Sequence, residues 1–151
     1  MRRVLYVDGF NFYYGVTRYW SHEKHRAGLG WCDFRALIER HFPDAGELTV
    51  KYFTAAVNQN DERDDNPGEH KRYWIWRRAL KTVQGLTVTE GFYKRADHRL
   101  SGRIRKEREE KQTDVNLAVE MLLDAGSPPE SRTEHVFLLC GDYDQMPVVF
   151  A

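Results

Sequence analysis

The stretch Val4-Leu5-Tyr6-Val7-Asp8-Gly9 decides the fold, because four apolar residues run directly into an acidic turn. A run this short and this apolar is typical of a strand buried on both faces of a parallel sheet. Asp8 follows that strand at its carboxyl end, where open parallel sheets hold their ligands. The sequence therefore predicts an α/β domain with a functional site that begins at Asp8.

Further strands and helices alternate along the rest of the chain. Strands are predicted at 48–56, 86–90 and 136–139, and helices at 11–20, after Asp33, at 69–84, at 113–125 and from about Asp144. This alternation indicates a central, mostly parallel sheet flanked by helices. A length of 151 residues suits one domain over residues 1–151. We expect the last helix to be cut short at Ala151.

Composition argues against a membrane-spanning protein and indicates a reducing compartment. The net charge is zero, and no apolar run approaches the roughly 20 residues that a membrane span needs. Cys32 and Cys140 have no metal-type spacing, so we interpret them as reduced thiols and predict a cytoplasmic protein.

Four acidic residues fall where sites are built in such a sheet. Asp8 and Asp142 follow two strands that we expect to be neighbours, Asp144 is two residues further on, and Asp114 begins a helix. Two carboxylates about 4 Å apart repel by about 4 kcal/mol at an effective dielectric of 20, so either some of them are protonated or a cation lies among them. Mg²⁺ or Mn²⁺ suits an all-oxygen site. Taken singly, each aspartate also fits a turn or a helix cap, as does Asn11.

The segment 94–111 is strongly basic. Its charges form i,i+4 pairs, as on the solvated face of a helix, and they equally suit a surface that contacts phosphates. The residues predicted to bind RNA are Arg95, Arg99, Arg103, Arg105 and Arg108.

Three motifs together resemble a known family. Val-Asp-Gly-Phe-Asn at 7–11, Lys-Gln-Thr-Asp-Val at 111–115 and Gly-Asp-Tyr-Asp-Gln-Met-Pro at 141–147 are similar to the signature blocks of NYN domains, a branch of the PIN-like metal-dependent ribonucleases. The resemblance implies a three-layer PIN-like fold and Mg²⁺- or Mn²⁺-dependent hydrolysis of single-stranded RNA. It assigns metal binding and catalysis to Asp8, Asp114, Asp142 and Asp144, with Asn11 and Lys111 in support.

Three hypotheses follow. The first is a metal-dependent ribonuclease. The second is a catalytically weak or inactive module that binds RNA or a protein partner, because Cys140 stands where such domains commonly carry Ser or Thr. The third is a haloacid dehalogenase-like phosphatase, which ranks last because Phe10 occupies the position where it needs a second Asp. For partners we consider RNA, a homodimer and a regulatory protein.

Overall fold

The computed structural model describes residues 2–18, 31–43, 46–61, 66–100 and 103–151. Within them, the side chains of 17, 18, 61, 96–100 and 103–107 lie outside the description. The strands are β1 (Arg2–Asp8), β2 (Glu47–Ala56), β3 (Leu86–Leu100), β4 (Arg103–Lys111) and β5 (His135–Leu139). The helices are α1 (Gly9–Arg18), α2 (Phe34–His41), α3 (Glu69–Leu80), α4 (Thr113–Ala125) and α5 (Met146–Val149).

These strands form one mixed sheet in the order β4-β3-β2-β1-β5. β3, β2, β1 and β5 run parallel to one another, and β4 is antiparallel to β3. The prediction of an α/β domain with a mostly parallel sheet flanked by helices is confirmed. β1 lies between β2 and β5, and its apolar run is buried because helices cover both faces of the sheet at this strand.

Alternate residues of the central strands pack into two hydrophobic layers. Leu5 and Val7 face α1, α2 and α3, where they pack with Phe34 and Tyr52. Val4 and Tyr6 face the opposite side and pack with Leu117 of α4. Asp8 continues the alternation of Val4 and Tyr6, so its side chain points to the α4 side of the sheet.

Two helices begin where capping residues and apolar periodicity in the sequence predict them. Asp33 caps α2, since its Oδ1 accepts a hydrogen bond from the backbone N–H of Ala36 at 3.0 Å, as predicted. α4 spans the predicted 113–125. The apolar spacing of this helix would also turn Leu122 inward beside Leu117 and Met121, but Leu122 is about half exposed. Residues 19–20 of the first predicted helix lie outside the described residues.

The basic segment 94–111 is where the structure differs most from the prediction. The structure extends β3 to Leu100 and forms β4 over Arg103–Lys111, with Phe92 opposite Lys111 and Leu100 opposite Arg103. The interpretation of this segment as a helix with i,i+4 charge pairs is therefore wrong. In a strand, charges interact with the residues opposite them on the neighbouring strand, and the sequence spacing alone does not distinguish the two cases.

Among the described residues, no helix combines the length and apolar character needed to cross a lipid bilayer.

Candidate functional site

Asp8 is 1% exposed and sits at the junction of β1 and α1. Its Oδ1 accepts hydrogen bonds from the backbone N–H groups of Phe10 at 3.1 Å and Asn11 at 3.0 Å. Its Oδ2 accepts one from the Asn11 side-chain amide and one from the Cys140 thiol at 3.2 Å. The buried carboxylate is thus satisfied by the start of α1 and by the end of β5.

The parallel pairing of β1 with β5 brings Asp142 to the same edge of the sheet as Asp8, as the sequence predicts. Asp142 begins a turn of 3₁₀ helix, and its Oδ1 accepts a hydrogen bond from the Asp144 backbone N–H at 3.0 Å. Gly141 passes close to Asn11, since a Cβ at position 141 would lie 3.0 Å from the Asn11 Oδ1. The end of β5 and the start of α1 are therefore in direct contact.

Asp114 enters the same region from the first turn of α4. Burial raises the pKa of its carboxyl group, and the nearby charges of Asp8, Glu110, Asp142 and Asp144 raise it further. The charges of Asp8, Asp142 and Asp144 thus act on Asp114 from within electrostatic reach. The neighbouring carboxylates therefore disfavour ionisation of Asp114.

Convergence does not amount to a formed metal site. Within the described part of the chain, no group of three or more His, Cys, Asp or Glu side chains lies close enough to hold a metal ion. Both oxygens of Asp8 are taken up by protein donors. The prediction of a metal-binding site is therefore wrong for this structure. Mg²⁺ or Mn²⁺ as a cofactor stays a prediction.

Of the five residues predicted to contact RNA, the structure describes the side chains of two, Arg95 and Arg108. Arg108 stacks its guanidinium 3.7 Å from the centre of the Tyr93 ring and forms two hydrogen bonds to Glu69. Lys111, predicted to support the site, pairs with Glu109 at 2.8 Å. Arg95 is exposed. The side chains of Arg99, Arg103 and Arg105 lie outside the described residues.

A cleft of about 690 Å³ opens on the other side of β1, next to the start of α1. Aromatic rings dominate its wall, and a few polar groups accompany them. Its lining includes Gly9, Phe10, Phe12, Tyr13, Trp31, Tyr52, Thr54, Asn66, Glu69, Arg72, Tyr73, Trp76 and Tyr93. This volume and this mixture of rings with few polar groups are typical of small-molecule sites.

This cleft was not predicted from the sequence. Tyr73 and Trp76 fall on the apolar stripe of α3, a pattern that by itself favours core positions. Both are only partly buried, and each contributes to the wall of the cleft. The aromatic content of the chain is a signal that could have indicated a binding surface, but core packing and ligand stacking require the same residue types.

A smaller cavity of about 290 Å³ lies beside the cleft. The two share Phe12, Trp31, Tyr52 and Trp76 as common walls. Burial, followed by the charge of Asp8, raises the pKa of the Tyr52 hydroxyl. Tyr52 therefore stays protonated, and it donates a hydrogen bond to the Gly9 carbonyl at 3.4 Å.

Comparison with known proteins adds one relative. The chain is 26% identical over 181 aligned positions to 6-hydroxy-3-succinoylpyridine 3-monooxygenase HspA of Pseudomonas putida (strain DSM 28022 / S16). The alignment covers 99% of this chain and 54% of the relative, so the chain spans about half the length of the protein it matches. No family model matches the chain, and no solved structure matches it.

This similarity corrects the predicted function. The relative is a monooxygenase, which points to an oxidoreductase rather than a ribonuclease. The predictions of a nuclease, of its weak or inactive RNA- or protein-binding alternative, and of RNA binding are therefore wrong.

Proposed function

We propose that this chain forms the substrate-binding domain of an oxidoreductase of the monooxygenase kind, acting on a small hydroxylated aromatic or heteroaromatic compound. The observation that carries the proposal is the 690 Å³ cleft lined with aromatic side chains. The similarity to HspA supports it, because the aligned region includes nearly all of this chain.

The cleft offers the contacts that such a substrate needs. Phe10, Tyr13, Trp31 and Trp76 present flat faces or edges on which an aromatic ring can stack. Arg72 brings the positive charge that an acidic substituent would require, and hydrogen bonds to the Asn66 side chain and to the Pro67 carbonyl at 2.8 Å hold its guanidinium in place. A rigid charged group beside apolar walls orients a ligand as well as binding it.

The reaction needs partners other than the substrate. A monooxygenase inserts one atom of molecular oxygen into its substrate, and the other atom leaves as water. The balance requires two electrons and two protons. A reduced nicotinamide supplies both electrons and one proton as hydride, with the second proton from solvent, whereas a reduced flavin supplies both electrons and both protons. The described residues bind and orient the substrate, and the apolar walls exclude water from it.

Direct binding tests the proposal. The probe is 6-hydroxy-3-succinoylpyridine, titrated into the full chain while tryptophan fluorescence is recorded. Trp31 lines the cleft, and we expect saturable quenching in the wild type that falls by at least half in Trp31→Ala. Trp74→Ala is the matched control, since Trp74 is exposed on α3 and does not line the cleft. Substrate-dependent oxygen uptake with NADH or reduced flavin tests the chemistry.

Two results would overturn the proposal. The first is the absence of saturable binding at millimolar probe. The second is binding that Trp31→Ala and Trp74→Ala weaken to the same extent, because the cleft would then not be the site.

The likeness to NYN domains, the three-layer PIN-like arrangement and the cytoplasmic location stay proposals. The three motifs at 7–11, 111–115 and 141–147 support the first two, and the free thiols of Cys32 and Cys140 support the third. A crystal structure of this chain, superposed on PIN-like domains, tests the arrangement of layers.

A further inference from the structure

Helix α4 carries apolar side chains on two opposite faces. Leu117 and Met121 point into the sheet and are buried. Val115, Val119 and Leu122 follow one another at i, i+4 and i+7, so they form a second stripe on the far side of the helix. A helix that packs only against its own sheet has a polar outer face. The outer stripe therefore indicates that something covers α4.

The exposure of this stripe is large. Val115 is 64% exposed, Val119 47%, Leu122 48% and Leu123 63%. Scattered exposed apolar residues are normal, but four aliphatic side chains on one helix face are not scattered. Their contact with water costs free energy that burial against an apolar partner would recover.

Helix α5 extends the same surface. α5 packs against α4 and contributes Val148 to the core, while Met146, Val149 and Phe150 remain 42%, 48% and 78% exposed. We define the α4–α5 surface as Val115, Val119, Leu122, Leu123, Met146, Val149 and Phe150. From these exposed fractions the accessible area of the seven residues, backbone atoms included, is roughly 700–800 Å², close to what one partner contributes to a standard stable interface.

The α4–α5 surface contains no ionisable side chain. The two acids in the later part of α4 are held elsewhere, because Glu120 and Asp124 pair with Lys51 of β2 at 2.7 and 2.8 Å. A surface without charge matches a partner that also has none, and it is complementary to itself. The whole chain carries no net charge, so two copies approach without long-range repulsion.

We propose that the α4–α5 surface is the interface of a homodimer, in which α4 of one copy packs antiparallel against α4 of a second copy across a two-fold axis. A two-fold contact places the same surface on both partners, and an elongated stripe on one helix suits this arrangement. Val119 is the central residue of α4 (Thr113–Ala125), so it lies nearest the axis. The interface is independent of the function of the cleft.

Oligomeric state tests the inference. We expect a mass in solution of about twice 17.8 kDa by light scattering or sedimentation equilibrium at micromolar concentration. Leu123→Lys places a charge in the interface and should raise the dissociation constant at least tenfold, with an unchanged circular dichroism spectrum. Trp74→Lys is the matched control, because Trp74 is 38% exposed on α3, does not line the cleft and should leave the dimer intact. A monomeric wild type, or a Leu123→Lys dimer of unchanged affinity, would overturn the proposal.

A second variant keeps the test independent of folding defects in Leu123→Lys. Val119→Cys places a thiol beside the axis, and mild oxidation should link two copies through this introduced thiol in a non-reducing gel. A Val119→Cys protein that stays uncrosslinked, while folded by circular dichroism, rules out the antiparallel α4 contact.

Discussion

The thiol of Cys140 donates a hydrogen bond to the buried carboxylate of Asp8 across 3.2 Å, and so joins the end of β5 to the end of β1. The pairing of β1 with β5 ends one residue short of both, at Val7 and Leu139. The side-chain bond therefore continues the link between the two strands beyond the backbone ladder. It also places a weakly acidic donor next to a buried negative charge.

This contact predicts that the Cys140 thiol is alkylated slowly in the native protein. Burial, and then the hydrogen bond to Asp8 and the charges of Asp8 and Asp142, raise the pKa of Cys140 to about 12, although a backbone hydrogen bond near Asp142 lowers it in part. The thiolate is the reactive species, so we expect iodoacetamide to alkylate native Cys140 at pH 8 roughly 50-fold more slowly than in the unfolded chain. Peptide mass spectrometry of timed samples measures both rates.

Asp8→Asn is the informative variant for this prediction. It removes the neighbouring charge, so native Cys140 should react faster than in the wild type. Equal alkylation rates in native wild type and unfolded protein would contradict the raised pKa.

Two glycines of α1 should respond oppositely to alanine. A Cβ at Gly9 would lie 2.5 Å from the Phe53 carbonyl oxygen and 2.5 Å from the Tyr52 ring, whereas a Cβ at Gly15 meets nothing within 4 Å. We expect Gly9→Ala to lower the free energy of unfolding by about 1–3 kcal/mol, because backbone and ring must move. Gly15→Ala should raise it by about 0.5–1 kcal/mol, because alanine favours the helix.

Urea unfolding, followed by circular dichroism, measures both variants under one set of conditions. A Gly9→Ala protein as stable as Gly15→Ala would mean that α1 does not start as close to β2 as the structure shows.

The sequence predicted that Asp8 and Asp142 lie at one edge of the sheet, because parallel neighbouring strands share their carboxyl edge. The prediction for Asp114, which begins a helix, depended more on the resemblance to NYN domains. The hairpin of β3 and β4 was not predictable in the same way. Its charges suit a helix at i,i+4 and a strand equally, and the partner strand decides between them. The cleft was missed for a similar reason, since Trp76 serves both as packing and as wall.

Asp114 should make the protein less stable as it ionises. Burial and the surrounding acids raise its pKa in the folded state above that in the unfolded state. The folded state then binds the proton more tightly, so this group's contribution to stability falls as the pH rises through the interval between the two pKa values. Asp114→Asn should match the wild type at pH 3 and exceed its melting temperature by about 1–3 °C at pH 7, after allowance for solvent screening.

Thermal melts of the two proteins between pH 3 and pH 7 measure this difference. A wild type that melts at a higher temperature than Asp114→Asn at pH 7 would contradict this prediction. It would show that the start of α4 stabilises the Asp114 charge more than the neighbouring acids destabilise it.

The opposite pH dependence is expected at the other end of α4. Lys51 contacts Glu120 and Asp124, and the Tyr6 hydroxyl donates a hydrogen bond to Asp124. Burial alone would raise the pKa of Asp124, but the hydrogen bonds from Lys51 and Tyr6 outweigh it and lower the pKa. Asp124 therefore contributes stability above its unfolded pKa, and that stability is lost as the pH falls through its folded pKa.

Lys51→Met leaves two partly buried acids without their cation, and we expect a loss of about 1–3 kcal/mol in unfolding free energy at pH 7. The loss should shrink as the pH falls from the ordinary pKa of an aspartate towards the lowered folded pKa of Asp124, because the wild type then loses the same interaction. Urea unfolding at pH 7 and pH 3 measures the change, with Lys81→Met at an exposed lysine as the control. A loss of the same size at both pH values would mean that packing of the lysine stem, and not its charge, stabilises this end of α4.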